Sequence, residues 1–540
     1  MSEFTLPWQP KRGVEYGGAA RAVIAVARGV YQFAAPIVSR FPGLILILAV
    51  IGSCLLVWFH ALLFGYVDAY VLGGTAMPEG YEHAKGLSTG EPARVLSPST
   101  WGLPPSVIAA RLEAAGGVGG ALSGLLQYLL WPVQFVVTRD LIGVIGIFAL
   151  FNIIPIYAIW WERKVAGRIQ SRLGPMRVGG WHGWAQSFAD GIKLMMKEDI
   201  IPADADKPLF RAAAYFALIP ALLAFVALPF GFTYVFRDLD VALVFILGIL
   251  GIEVVGVIVA GWASNNKWSV YGAMREACQM VSYEIPMGMA LLIPVVTVGS
   301  LNLRVIGEAQ SEGWFSWLAF SHPFAFAAFL SYYVASLASC KRAPFDLPEA
   351  ESELVAGFHT EYSGLRWSLF FFAEYAAMFI VSALAAILFL GAWHSPLPMS
   401  WAGRFDGWIA AGGLWKLIGL GLKGLLFSSP IWLLLKAVFF IYVQMWLRWT
   451  LPRIRIDQVL YACVQVMLPL TMLLLIGTAL WVWASSGESA AWKALDAVVR
   501  YGLGVVGMLF ALAFMAIAAY GFYKRRKLVG RLAVDALPGA

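Results

Sequence analysis

The sequence predicts an all-α, polytopic integral membrane protein: a helix bundle with about ten transmembrane helices and additional amphipathic interfacial helices. Of its 540 residues, 60% are hydrophobic and 13% are charged, against about 45–50% and about 25% in soluble domains. The apolar residues form unbroken runs, such as residues 141–161 and 369–391. Runs of about 20 residues cross a bilayer as helices, whereas strands of a membrane barrel alternate in polarity over about 10 residues. This pattern excludes a soluble globule, a disordered chain and a membrane β-barrel.

Ten runs of this kind are the predicted transmembrane helices. They are residues 43–64, 141–161, 212–231, 241–261, 281–300, 322–340, 368–391, 428–447, 459–483 and 501–522. A basic segment precedes the first run, which is itself long enough to span, so this run is not predicted to be a cleaved signal peptide. An amphipathic helix is predicted at residues 184–197, between the second and third spans.

Lysine and arginine are distributed unequally between the two sides of the predicted bundle. With a cytoplasmic N-terminus, the cytoplasmic segments contain 27 of the 39 basic residues and the opposite side contains 11. Positively charged loops tend to stay in the cytoplasm, so both termini are predicted to be cytoplasmic. The net charge of +7 follows from this bias and gives no reason to expect a nucleic-acid partner.

The chain offers little for a metal or redox centre of its own. Its four cysteines are far apart and form no Cys-x-x-Cys pair, whereas iron–sulfur and structural zinc sites need several converging ligands. The six histidines are also dispersed, and His359 is the one retained as a candidate site residue. No metal ligand and no bound redox cofactor are predicted on this chain.

The predicted cytoplasmic loop after the second span has an unusual composition. Residues 162–179 read ERKVAGRIQSRLGPMRVG. A basic loop at a membrane face is usually only an orientation signal. Here glycine and proline constrain the backbone between arginine, glutamine and glutamate side chains. This combination favours a loop shaped to receive a ligand or a partner protein.

Three glutamates lie inside predicted spans, where charge is expensive. They are Glu253, Glu284 and Glu374, and Lys436 in the eighth span is a candidate cationic partner. An acidic residue at a helix centre costs about 2.5–3.5 kcal/mol on insertion scales, and such residues usually mark a proton or ion path. The alternative is a set of buried ion pairs that fix helix packing. For Glu253, a position facing a cavity is a further alternative.

Two other segments share the mixed character of the loop at 162–179. They are residues 261–284 and 344–364, and Glu374-Tyr375, Lys436 and residues 451–458 follow in order. With the loop, these segments resemble the H-type membrane component of respiratory complex I, called subunit 1 in mitochondria. Three positions depart from the family pattern: Met176 replaces Asn, Ile456 replaces Tyr, and Glu253 replaces a small or apolar residue.

The resemblance divides the chain into three parts. Residues 141–484 form the family core. Residues 1–140 are interpreted as an N-terminal extension with one extra transmembrane helix and a non-cytoplasmic insertion at 65–140. Residues 485–540 are interpreted as a C-terminal extension with another transmembrane helix.

The resemblance implies a membrane subunit of a proton-translocating NADH:quinone oxidoreductase in the bacterial plasma (inner) membrane. In the family, these loops form the membrane half of a quinone-binding chamber that hydrophilic iron–sulfur and quinone-site subunits complete on the cytoplasmic side. Quinone is then a substrate, while FMN and the iron–sulfur clusters lie on partner subunits. Small membrane subunits and antiporter-like subunits are the other implied partners, and the surrounding lipid bilayer completes the environment.

Residue by residue, the resemblance implies a quinone-binding set and a proton-coupling set. The quinone-binding residues are Glu162, Arg163, Arg168, Gln170, Arg172 and Arg177, with Lys267, Arg275, Asp346, Glu349 and Glu353 at the inner rim. The proton path begins with Glu284, Glu361 and Glu374, and the reasoning on spans adds Glu253 and Lys436. The chemistry agrees, because a reduced quinone needs cations and exchangeable carboxyls close together.

Three other functions compete with this one. A homologous membrane subunit of a related complex, such as a membrane-bound hydrogenase or a dehydrogenase with another electron donor, differs mainly in subunits that this sequence does not contain. An independent ion transporter is disfavoured, because no internal repeat is visible and the predicted cytoplasmic loops are large. A passive anchor leaves the acidic residues within the spans unexplained.

Overall fold

The computed structural model describes residues 136–179, 183–231, 235–348, 351–398, 401, 426–486 and 492–509, with a few further positions up to 520. Nine helices are labelled here. They are α1 (Val136–Ile169), α2 (Gln186–Met196), α3 (Lys207–Ala227), α4 (Ala242–Ala263), α5 (Lys267–Val298), α6 (Ala325–Ser339), α7 (Gly364–Phe389), α8 (Pro430–Thr450) and α9 (Ile456–Ser486). Short helical turns lie at Leu303–Glu308, Trp314–Ser316, Leu318–Ser321, Glu351–Leu354 and Gly357–His359. Residues 492–509 are also helical.

The predicted all-α membrane fold is confirmed. Within the described ranges, seven helices are long and apolar enough to cross a membrane: α1, α3, α4, α5, α7, α8 and α9. The predicted span at 322–340 is the shorter apolar helix α6, of 15 residues. The predicted span at 43–64 lies outside the described residues, and the one at 501–522 is described only in part.

Helix ends follow the local sequence. The side chain of Asn266 caps α5 by accepting a hydrogen bond from the Trp268 amide at 3.0 Å, and Ser429 caps α8 in the same way, with Pro430 in its first turn. Such caps satisfy amides that have no partner within the helix. At the other end of α5, Gly299 adopts the left-handed conformation that stops a helix at little cost.

Helix α7 is the centre of the bundle. Every residue from Ala373 to Phe389 is buried, and α7 packs against α1, α3, α6 and α8. The hydroxyl of Tyr332 in α6 donates to the carbonyl of Val381 in α7 at 2.8 Å. A polar group on α7 therefore meets protein rather than lipid, so this helix determines which polar groups can interact inside the bundle.

The amphipathic helix predicted at 184–197 is α2. Its exposed apolar side chains include Phe188, Ile192 and Met195, which lie on one face because they are spaced four and three residues apart. Such a face is typical of a helix lying in the membrane interface. Ser363 connects α2 to the start of α7, since its hydroxyl accepts from the Ile200 amide at 3.1 Å and donates to the Glu198 carbonyl at 3.2 Å.

The loops lie on two faces. Residues 162–179 are predicted to be a loop, but α1 continues to Ile169. This segment, which we call the basic loop, lies with the α4–α5 and α6–α7 connections on one face, termed the basic face. The opposite face carries the connections after α3, α5 and α7. There the C-terminal helix docks on the core: the Trp314 indole donates to the Gly504 carbonyl and Arg500 donates to the Phe315 carbonyl, both at 3.0 Å.

Helices α3 and α4 pack closely at one glycine. A Cβ atom on Gly256 would lie 2.6 Å from the amide nitrogen of Ala217 and 2.8 Å from the carbonyl carbon of Phe216. Backbone cannot move aside as a flexible side chain can. Gly248, two turns earlier on α4, has nothing within 4 Å of the same position.

We expect the substitution Gly256→Ala to destabilise the protein and Gly248→Ala to leave its stability unchanged or slightly raised. Overpacking of this kind costs about 1–3 kcal/mol, whereas alanine in an open helical position gains up to about 1 kcal/mol over glycine. Thermal unfolding of the two variants in the same detergent measures the difference. Equal unfolding temperatures would show that close α3–α4 contact is not needed.

Candidate functional site

A turn with two adjacent cations follows helix α6. Lys341 and Arg342 are buried, with 6% and 1% of their side chains exposed. Lys341 has a φ of 51°, in the left-handed region that residues other than glycine seldom occupy. The amide of Arg342 donates to the Leu337 carbonyl at 3.2 Å, which holds the turn against the helix end. The turn therefore directs both positive charges into the bundle.

Arg342 connects three transmembrane helices. Its Nη1 donates to both carboxylate oxygens of Glu162 in α1, at 3.1 and 2.9 Å, and its Nε lies 2.7 Å from Oε1 of Glu374 in α7. Glu162 also accepts from Arg448 in α8 at 2.6 Å and from the Tyr375 hydroxyl at 2.5 Å. The Arg342 guanidinium lies 4.4 Å from the centre of the Tyr375 ring. Glu162 is thus a shared acceptor for two arginines and a tyrosine.

Lys341 pairs with two further buried carboxylates. Its Nζ donates to Oε1 of Glu253 in α4 at 3.1 Å and lies 3.5 Å from Oε1 of Glu276 in α5. The ammonium group is also 5.7 Å from the centre of the Phe358 ring. Glu276 and Glu253 are both buried. The two adjacent cations therefore serve two different pairs of carboxylates.

Together these side chains form what we call the buried charge cluster. Its members are Glu162, Glu253, Glu276, Glu374, Lys341, Arg342 and Arg448, with Tyr375. Burying an isolated ion costs several kcal/mol, so such charges persist only when paired. Burial alone would lower the pKa of Lys341, but Glu276 and Glu253 raise it above its ordinary value. Burial alone would also lower the pKa of Arg342, but Glu162 and Glu374 raise it above its ordinary value. Both cations therefore stay charged.

Sequence reasoning identifies three of the acids and misses their partners. Glu162, Glu253 and Glu374 are among its candidates, whereas Glu276, Lys341 and the two arginines of the cluster are not. Lys436, the candidate cationic partner, pairs with none of the in-span acids among the described residues. Its Nζ instead donates to three backbone carbonyls beyond the end of α7, at 2.6–2.9 Å. The available signal was the adjacent Lys-Arg pair directly after an apolar run, which is also typical of an ordinary interfacial flank.

The proton-path candidates Glu284 and Glu361 lie outside the cluster. Glu284 is half-buried in α5, and its Oε1 lies 3.3 Å from the position of a Cβ on Gly251 in α4. Glu361 accepts a hydrogen bond from the Asn266 side chain at 2.5 Å. Glu284 is two helical turns from Glu276 on the same helix, so it extends the row of acids along α5 towards the interior.

The basic loop folds back on the end of α1. Lys164 donates to the Pro175 carbonyl, and a Cβ on Gly167 would lie 2.8 Å from the Gly174 amide nitrogen, so glycine is required for this close approach. Arg172 donates to Gln170 at 2.7 Å. Within the described residues, Arg163 pairs with Asp190 of α2, whereas Arg168, Arg172 and Arg177 are exposed. The fold thus presents three exposed arginines on the segment that begins with the buried Glu162.

The rim candidates that the structure describes lie on the same face and range from partly buried to exposed. Arg275 pairs with Glu353 at 2.5 Å, and Asp346 pairs with Arg453 at 3.1 Å. Lys267 is exposed, and Glu349 lies outside the described residues. A cavity of about 450 Å³ opens beside the Arg275–Glu353 pair. It is lined by Trp268, Tyr271, Met274, Arg275, Cys278, Glu353, Leu354 and Ile456.

Known proteins share this core sequence. The pattern of the NADH dehydrogenase family matches residues 142–479. The NADH-quinone oxidoreductase H chain of Chlorobaculum tepidum is 46% identical over 328 residues, covering 60% of this chain and 87% of that protein. The corresponding protein of Anaeromyxobacter dehalogenans is 43% identical over 375 residues, covering 69% and 88%, and that of Geobacillus thermodenitrificans is 44% identical over 323 residues, covering 60% and 88%.

We expect Arg342→Gln to destabilise the protein by about 3–5 kcal/mol, because it leaves the buried Glu162 and Glu374 short of a cation. The matched control is Arg304→Gln, which removes a partly exposed pair with Asp238 and costs less than about 1 kcal/mol. Thermal unfolding in detergent compares the two. Equal losses would mean that the buried pairing contributes no more than a surface pair.

Proposed function

The chain belongs to the NADH dehydrogenase family, in which its relatives are membrane components of NADH-quinone oxidoreductase, and on this premise we propose that it forms the membrane half of a quinone-binding chamber and couples quinone reduction to proton translocation. It is an integral membrane component of that multi-subunit complex. One observation carries the proposal: the basic loop, which carries exposed arginines, begins at Glu162, and Glu162 belongs to a cluster of charges buried between five helices.

The basic loop supplies the chemistry that a quinone head group needs. Reduction of a quinone to a quinol adds two electrons and two protons, and negative charge develops on the oxygens before both protons arrive. Arg168, Arg172 and Arg177 would stabilise that charge. The electrons would come from an iron–sulfur subunit docked on this face, with FMN further along the same electron path. The apolar flank of α1 and α2 suits an isoprenoid tail.

Glu162 is the element that connects the chamber with the cluster. Glu162 is the first residue of the basic loop, next to Arg163, and it also accepts from Arg342 and Arg448. Negative charge on a bound quinone competes for nearby cations and favours protonation of nearby carboxylates. Any change at Glu162 therefore changes how strongly Arg342 holds Glu374, 2.7 Å from its Nε.

The buried charge cluster brings several carboxyl groups together. Among the described residues, its four glutamates lie beside Lys341, Arg342 and Arg448. Carboxyl groups coupled in this way would exchange protons as a group rather than singly. Glu276 and Glu284 on α5 then extend the path away from the chamber, and Glu253 takes part through Lys341.

The rim residues are assigned to the entrance of the chamber and to docking. Lys267, Arg275, Asp346 and Glu353 lie in segments on the basic face, and Glu349, which is outside the described residues, joins them from the sequence alone. Opposite charges near the surface steer and align a partner rather than add much stability. The hydrophilic iron–sulfur and quinone-site subunits would bind here, on the cytoplasmic side of a bacterial plasma membrane. Small membrane and antiporter-like subunits would flank the bundle.

Replacing Arg172 by Ala is expected to slow quinone reduction about tenfold or more, because one charge-assisted interaction is worth about 1.5–3 kcal/mol. Electron transfer from NADH to a soluble artificial acceptor should be unaffected in the same purified complex, since that reaction bypasses the chamber. Arg168→Ala should behave alike. Loss of both reactions together would point to failed assembly, and normal quinone reduction would remove these arginines from the site.

Replacing Glu374 by Gln is expected to lower proton pumping, quinone reduction, or both, by about tenfold, because the variant cannot exchange a proton at this position. The complex is reconstituted in vesicles, and acidification is recorded with quinone reduction. Glu312→Gln, an exposed acid on the opposite face, is the control and should have no effect. Normal activities in Glu374→Gln would show that the proposed coupling role is wrong.

A further inference from the structure

The helix at residues 492–509 contacts the rest of the bundle through one face. Asp496, Arg500 and Gly504 follow one another at intervals of four residues, so they lie on the same side of the helix. Gly504 is buried there, whereas Gly502 is exposed and has nothing within 4 Å of the position of a Cβ atom. The helix is therefore docked in one defined rotation about its own axis.

Three hydrogen bonds of 2.9–3.0 Å join this face to the core. Their donors and acceptors are the Trp314 indole and the Gly504 carbonyl, Arg500 Nε and the Phe315 carbonyl, and the Trp481 indole and a carboxylate oxygen of Asp496. The partners come from the α5–α6 connection and from the end of α9. Because lipid provides no hydrophobic driving force for helix association, polar contacts and close packing decide where such a helix docks.

The core surface that receives the helix is a group of aromatic rings on the α5–α6 connection, which we call the aromatic patch. Its members are Trp314, Phe315, Trp317 and Phe320. The centre of the Trp314 ring lies 4.5 Å from that of Phe320 and 4.9 Å from that of Trp317. The Phe315 ring lies 5.8 Å from the ring of Tyr501 in the docked helix. Since the rings pack on one another, a movement of one would disturb its neighbours.

The aromatic patch is connected to the ends of α7 and α8 that lie far from the basic face. Gln310, whose side chain has 0% exposure, accepts from the Leu318 amide at 3.1 Å and donates to the Ile387 carbonyl of α7 at 2.9 Å. The centre of the Trp317 ring lies 4.3 Å from the Lys436 ammonium of α8. The position of the α5–α6 connection is therefore linked to the positions of both helices.

A passive membrane anchor is the alternative explanation for the added helix, because an apolar helix can insert into a bilayer without contacting other helices. An anchor needs no fixed rotation and no polar contact with the core. It does not account for Asp496 and Arg500, which both make hydrogen bonds to core groups. It also does not account for Gly504, where a Cβ atom would lie 2.3 Å from the Phe315 ring.

We propose that helix 492–509 is an intramolecular strap: by docking on the aromatic patch it fixes the α5–α6 connection and, through Gln310 and Trp317, the far ends of α7 and α8. The aromatic patch lies within the family match at 142–479, and the strap lies outside it. The strap thus restrains a surface of the family core with a helix that the family pattern does not include. This inference goes beyond the proposed function and does not depend on it.

The test is hydrogen–deuterium exchange of the full-length chain in detergent, followed in peptides from residues 303–322 and 387–395. Gly504→Leu places a side chain where a Cβ atom would already lie 2.3 Å from the Phe315 ring, and should displace the strap. Exchange in both segments should then become about tenfold faster or more, because lost packing makes local opening easier. The matched control is Gly502→Leu, which adds the same side chain in open space and should leave exchange unchanged.

A milder variant is used if Gly504→Leu fails to insert into the membrane. Arg500→Met removes the hydrogen bond to the Phe315 carbonyl without adding bulk, and should speed exchange at 303–322 about two- to tenfold. Peptides that contain residues 264–266, the α4–α5 connection on the basic face, are the internal reference and should exchange as in the unmodified chain.

The strap is overturned if exchange at 303–322 is unchanged in Gly504→Leu, or in Arg500→Met where the first variant does not insert. An equal rise in Gly502→Leu would overturn it as well, because the effect would then not depend on the docked face. Either result leaves the proposed function standing, since the Glu374→Gln assay tests that function separately.

Discussion

The pairing of Arg342 with Glu162 and Glu374 is the interaction on which the rest of this bundle depends. A guanidinium with 1% exposure cannot remain charged without partners, and its partners come from α1 and α7, with α8 joined through Arg448. In a lipid bilayer the hydrophobic effect does not drive helices together, so packing and polar contacts decide which faces meet. The cluster therefore sets the orientation of α1 and α8 around the central helix.

The same constraint links the two halves of the proposed function. Glu162 ends the apolar part of α1 and is the first residue of the basic loop, so the proposed chamber and the buried charge cluster share this residue. Lys341 and Arg342 are adjacent but serve separate acid pairs. Because the two residues are adjacent, a movement of this turn would alter both pairs together.

The helix at residues 492–509 lies outside the family match and adds to the core without entering the candidate site. The NADH dehydrogenase pattern ends at residue 479, and the helical segment 492–509 docks on the opposite face at Trp314 and Phe315. A Cβ on Gly504 would lie 2.3 Å from the Phe315 ring, and one on Gly507 would lie 2.4 Å from Phe320. These glycines let the added helix approach closely, as small residues do at membrane helix interfaces.

The amino-acid sequence by itself determined the membrane fold, because the length of the apolar runs and the distribution of Lys and Arg between loops govern how a chain inserts into a bilayer. It also identified the basic loop and Glu374, because their residue types are costly or unusual where they stand. Only the tertiary structure decided which charge meets which. Arg342 is 180 residues from Glu162, and Lys341 is 88 residues from Glu253, and no spacing along the chain reports such contacts. Lys436 is a second example: its position made it a candidate partner of the in-span acids, whereas its ammonium donates to backbone carbonyls beyond the end of α7.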